Sequence, residues 1–142
     1  KLSQANFRAA RINIKTRKNA AGRAMKLGRD LVLLTGVKNE DLAREILKAE
    51  RLANGATNVD KDSARHIAWA EIDVINPEFW ALIDFAFPMK PLIVQDEKAL
   101  QLLAQDKPED DCVFNNHEFR YQAYKRQGFG YGLPETVWAS DG

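Results

Sequence analysis

The chain has 142 residues, 45% of them apolar, which is enough for one ordinary domain to bury a core without disulfide or metal staples. Its single cysteine, Cys112, excludes an intramolecular disulfide and leaves no thiolate cluster for zinc, so a secreted disulfide scaffold is disfavoured. The formal net charge of +1 conceals a polarity: residues 1–38 carry ten Lys or Arg and one acid, a balance of +9, whereas residues 39–142 carry eleven bases and nineteen acids, a balance of −8.

Lys1 is not a residue before which an initiator methionine is normally removed, so the sequence reads as starting inside a longer product. An acid-poor, Arg-containing start also fits an organelle transit peptide, while no apolar stretch behind it resembles a secretory signal. Ser3 is placed to cap a first helix in which Phe7, Ala10 and Ile14 share a face. Asn13, Thr16 and Asn19 predict a break over 13–19, followed by a second helix over 19–35 that Gly36 ends. Asn39 with Glu40 and Asp41 opens the next helix, whose stripe is Leu42, Ile46, Leu47 and Ala53.

Asp60 or Asp62 then starts a helix with an inner face of Ala64, Ile67, Ala68, Trp69 and Ile72. Asn76-Pro77-Glu78 reads as a helix restart, predicting a buried helix over 77–86. The apolar run 79–87 is broken by Asp84 and stopped by Pro88, far short of the roughly 20 residues of a membrane span. Residues 92–94 read as a short strand, Asp96 caps a helix to about Gln105, and residues 112–114 form a second short strand. Asn115 or Asn116 begins a last helix to Gln127, closed by Gly128, and the Gly- and Pro-containing remainder is irregular. The expected architecture is therefore mainly α: five or six short helices in one compact domain, with a small two-stranded element pairing 92–94 with 112–114. Within it, 1–38 is a basic helical arm, 39–127 a helical body and 128–142 an irregular tail.

The arm supplies the main candidate surface, because Arg8, Arg11, Lys15 and Lys18 step along one side of a helix and Arg23, Lys26 and Arg29 repeat the arrangement. Such a face attracts nucleic-acid phosphates through counterion release, or docks on an acidic protein surface, including that of a neighbouring copy. Residues 120–131 interleave bases, aromatics and glycines, a composition suited to stacking single-stranded bases on Tyr121, Tyr124, Phe129 and Tyr131. Gly128-Phe129-Gly130-Tyr131 is similar to the centre of the RNP1 motif of RNA-recognition domains. It departs from that motif at Gln127, where a base is required, and at Gly132-Leu133-Pro134, which interrupts the strand. A helix C-cap followed by a Gly-rich turn accounts for the same residues.

Asp110, Asp111, His117 and Glu118 concentrate acid, base and metal-ligand groups, and could hold a divalent ion for phosphodiester cleavage. The same residues also suit a solvated acidic loop and a helix N-terminus. Trp138 lies in the tail and must find a pocket on its own body or on a neighbour, which makes it a candidate partner anchor. No cofactor or resident metal is implied. The reading these residues carry is a non-enzymatic structural or adaptor subunit of a virion or ribonucleoprotein particle, homo- or hetero-oligomeric and without a membrane anchor. Its basic arm meets nucleic acid or an acidic neighbour. The alternatives are a metal-dependent nuclease on the Asp/Asp/His/Glu group and a sequence-tolerant single-strand binder on the aromatic one.

Overall fold

Ser3 stops the extended start of the chain and opens α1 (Gln4–Thr16), its hydroxyl oxygen accepting from the Asn6 N–H at 3.2 Å. Phe7, Ala10 and Ile14 are the buried residues of this helix, as their three- and four-residue spacing requires. These features belong to a computed structural model that describes residues 1–52 and 55–142. Ala53, expected on the stripe of the third helix, lies outside the described residues. The chain divides into two units, one formed by Lys1–Pro91 with Gly132–Gly142 and the other by Leu92–Tyr131.

Where a second helix was expected over 19–35, the first unit has a tight hairpin and a strand. Lys18 bridges Ala24, the Asn19 side-chain oxygen accepts from the N–H groups of Ala21 (3.0 Å) and Arg23 (2.9 Å), and Gly22 takes φ +76°. An Asx turn of this kind diverts the backbone from helix, and Lys26 and Gly28 in left-handed conformations keep it diverted. The run Leu31–Thr35 then becomes β1, nearly all of it buried, because apolar residues in immediate succession satisfy a strand covered on both faces.

A 3₁₀ turn (Val37–Asn39) leads into α2 (Glu40–Lys48), which buries Ala43, Ile46 and Leu47. Leu42 of the expected stripe stays exposed, and Asn39 does not cap the helix through its side chain but donates to the Pro77 carbonyl at 2.9 Å. The helix expected from Asp60 or Asp62 is replaced by β2 (Arg65–Ala68) and the short α3 (Ala70–Ile75), leaving Ile67 and Trp69 exposed. The buried helix expected over 77–86 is β3 (Trp80–Asp84). Asn76 accepts from the Glu78 N–H at 3.0 Å, making a turn where a helix cap was expected. The last residues form a 3₁₀ turn (Pro134–Thr136) and β6 (Val137–Ser140) where an irregular tail was expected.

These strands make a four-stranded sheet in the order β2-β1-β3-β6, with β2 parallel to β1 and the other pairs antiparallel. The register sets Leu33 opposite Leu82, two fully buried leucines at the centre of a core that also holds Phe7, Ile14, Leu47 and Trp80. Each such side chain contributes about 1.5–3 kcal/mol by leaving water, so α1 and α2 are held mainly by the sheet they cover.

The second unit is a long antiparallel ribbon, β4 (Leu92–Gln105) against β5 (Arg120–Tyr131), closed at its tip by α4 (Asp111–Asn116). Three expectations change here. The helices expected over 96–105 and up to Gln127 are the two strands, the strand expected at 112–114 is α4, and residues 92–94 pair with 129–131. The reason is visible in the register, which shifts between Asp96 and Lys98 and again between Lys98 and Gln101. Each extra residue reverses the in-and-out alternation, so β4 loses the two-residue period by which a strand is recognised. With two sheets and four short α-helices among the described residues, the chain is mixed α and β, not mainly α. Among the described residues no helix is long and apolar enough to cross a membrane.

Candidate assembly surface

The basic segment does not act as a single face. Arg8 and Arg11 converge on Asp60, whose carboxylate has no exposure: Arg8 Nε is 2.5 Å from Oδ2, Arg11 Nη2 2.9 Å from Oδ1, and Gln4 donates to Oδ2 at 3.1 Å. Arg11 faces its oxygen as an ion pair without the alignment of a hydrogen bond. Asn58 completes the network, accepting from the Asp60 N–H at 3.0 Å and donating to the Ile46 and Ala49 carbonyls at 2.8 and 3.0 Å. The two arginines thus tie α1 to the loop that follows α2.

Lys15, Lys18, Arg23, Lys26 and Arg29 are different: all are exposed and, among the described residues, none stands within ion-pair distance of an acid. The stem of Lys15 lies across Gly28, close enough that a Cβ there would meet it at 2.6 Å. Arg17, between them, is spent on the backbone, donating to the carbonyls of Glu135 and Val137 at 2.7 Å each. The remaining acid of this region, Asp84, is buried and accepts from the N–H groups of Gly28 (2.6 Å) and Ala86 (2.9 Å), so it fixes the basic loop without facing its cations.

Two clefts border the loop. The larger, about 640 Å³, is lined by Arg29, Arg44, Lys48, Arg65 and His66. Most of its charge is compensated: Arg65 grips Asp30 with two hydrogen bonds of 3.1 and 2.8 Å, Lys48 reaches Asp62 at 2.6 Å, and Arg44 pairs with Glu40. The Lys48 hydrogen bond and charge hold the Asp62 carboxyl below its ordinary range. Burial pushes the His66 imidazole below its ordinary value against the opposing pull of Glu40. The smaller cleft, about 360 Å³, has Met25, Phe87 and Pro88 in its wall and the unpaired Lys26 and Arg29 beside them. The sequence marks Pro88 only as the stop of an apolar run and does not join it or Phe87 to Met25, because nothing there links residues so far apart.

Trp138 packs on its own body, its ring centroid 4.7 Å from that of the fully buried Trp80. In the ribbon, strand alternation puts Tyr121, Phe129 and Tyr131 on one face of β5 and Tyr124 on the other, beneath Lys98 Nζ at 5.4 Å from its ring. The four aromatics therefore do not share one stacking platform. Asp110 precedes α4 and accepts from the Lys107 N–H at 3.0 Å, Asp111 accepts from the Asn115 amide at 2.8 Å, His117 ends the helix in a left-handed conformation, and Glu118 pairs with Arg120 at 3.4 Å. Among the described residues no three His, Cys, Asp or Glu side chains converge as a metal site.

A family model described as "Mu-like prophage major head subunit gpT" matches residues 1–72 and 68–142. The major capsid protein of Escherichia phage Mu is 36% identical over 61 residues, a stretch that spans 43% of this chain and 20% of that protein. No solved structure matches at a significant level. Because the two family matches together take in the whole length, the chain belongs to the Mu-like prophage major head subunit gpT family.

Proposed function

We propose that the chain is a structural subunit of a phage head, built to contact further copies, and that its free basic loop meets an acidic neighbouring subunit. The observation that carries the subunit role is the family match along the whole chain. The neighbour is favoured by charge: five exposed cations sit in a stretch without a free acid, in a chain whose residues 39–142 are acidic by eight charges. Complementary surfaces of this kind steer association and fix register more than they add affinity. Such a subunit works within the particle, and before assembly in the cell that makes it.

Nucleic acid is the second reading, because the same five cations would attract phosphates, with a steep dependence on salt. An acidic body would repel those phosphates, confining the contact to the loop. Sedimentation over a concentration and salt series tests the first reading. Species that grow with concentration and shrink with salt are expected, and a chain that stays monomeric at high concentration and low salt overturns it. Retention on a DNA column, unchanged when Lys15, Lys18, Arg23, Lys26 and Arg29 are all replaced by Glu, would exclude phosphate binding by the loop.

A further inference from the structure

We infer that the cleft walled by Met25, Phe87 and Pro88 receives Phe114 from the ribbon tip of a second copy, with Lys26 and Arg29 meeting Asp110 and Asp111 of that copy. The inference deepens the assembly reading and rests on it. Three features of the cleft specify its occupant. Its wall is apolar, its two cations have no acid partner among the described residues, and its one acid, Asp84, is already engaged by backbone N–H groups. A matching occupant is an apolar side chain flanked by carboxylates.

The ribbon tip has that chemistry. Residues 106–111 hold four acids and one base. In α4, Cys112 is buried, its Sγ directed to the Gln105 carbonyl at 3.7 Å, which turns Phe114 outward, where it is 75% exposed. Asp111 and Phe114, three apart, share a helix face. A large aromatic held outward on an ordered turn costs little entropy to bury, and aromatic anchors seated in pockets with a charged rim carry much of the energy of interfaces. The larger cleft offers no such fit, since Asp30 and Asp62 in its lining neutralise Arg65 and Lys48, and Glu40 outside it neutralises Arg44. Each copy carries both halves of the contact, so it repeats from copy to copy, as a shell of many subunits requires.

The test is sedimentation equilibrium at low salt on the chain and two charge-reversed forms, Lys26→Glu with Arg29→Glu, and Asp110→Lys with Asp111→Lys, each confirmed folded by circular dichroism. Each form alone should associate at least about tenfold more weakly, the equivalent of about 1.4 kcal/mol. An equimolar mixture of the two should recover the parental strength, because each reversed cleft then meets a reversed tip. Phe114→Ala should weaken association without any change in net charge. Recovery only when all four reversals are in one chain would mean a contact within a copy, and overturns the proposal. Association abolished by nuclease would mean a nucleic-acid bridge and also overturns it. Association that survives both reversals removes this contact alone, whereas a parental chain that never associates removes the assembly reading with it.

Discussion

Arg8 and Asp60 stand 52 residues apart in sequence and 2.5 Å apart in space, and the carboxylate between them and Arg11 has no contact with water. A buried carboxylate without its cations is costly, so this network makes docking of α1 conditional on both arginines. Residues that resemble a nucleic-acid face in the sequence are, in the fold, an internal fastening.

Replacing Arg8 and Arg11 together by Ala should therefore cost about 3–5 kcal/mol, the usual penalty for stranding a buried charge. Arg11 should carry the larger share, because Arg8 is 39% exposed and partly screened. Asp60→Asn, which leaves cations able to reach water, should cost less, about 1–3 kcal/mol. Urea denaturation checks the order. A double arginine variant that unfolds at the parental midpoint would show that α1 is held by its apolar face alone.

Gly36 and Asp73 make a second tight pair. The Asp73 carboxylate occupies the space where a Cβ on Gly36 would be, and its Oδ2 accepts from the Lys38 N–H at 3.1 Å. Gly36→Ala should destabilise by about 1–3 kcal/mol through this overlap. In an Asp73→Ala background the same change should cost markedly less, since the obstructing atoms are gone. Equal costs in the two backgrounds would place the strain elsewhere.

The first helix is legible in the sequence because its cap and its apolar spacing agree, although it runs on to Thr16 through part of the break expected over 13–19. β1 and β3 are not, and the reason is specific: residues 31–34 and 80–83 are short unbroken apolar runs, which periodicity cannot assign to a buried strand or a buried helix. The ribbon fails differently, since its bulges break the alternation around Lys98, while Leu100 and Leu103, three apart in the sequence, suit the face of a helix. Charge is half legible. The surplus in residues 1–38 is plain, but the internal pairing of Arg8 and Arg11, which sets them apart from the exposed Lys15, Lys18, Arg23, Lys26 and Arg29, depends on Asp60, which only the fold brings near.

Trp138 tests the fate of the last strand. Its ring packs at 43° against Trp80, and β6 pairs with β3 so that Trp138 lies opposite Leu82. Trp138→Ala should cost about 3 kcal/mol, the low end for a Trp, because the residue is only half-buried. The near-ultraviolet circular dichroism of the coupled indoles should collapse with it. Loss of association with stability and dichroism intact would instead make Trp138 an anchor for a partner.

His66 links the sheet to pH. Its Nε2 lies 2.9 Å from the hydroxyl of the fully buried Thr35, a contact in which a neutral ring either accepts or donates. Burial depresses the imidazole pKa, with Arg44 adding to the effect and Glu40 opposing it. A depressed pKa means that the unfolded chain takes up the proton first. Stability is then complete above the ordinary histidine value of about 6.5 and declines as pH falls below it toward the folded pKa. Melting temperature should therefore drop from pH 7.5 to pH 5.5, a range in which the carboxylates remain ionised. His66→Gln, which keeps a polar partner for Thr35 without titrating, should flatten that slope. A parental slope that persists in His66→Gln would assign the pH response to another group, and a slope of opposite sign would mean that the fold favours the protonated ring.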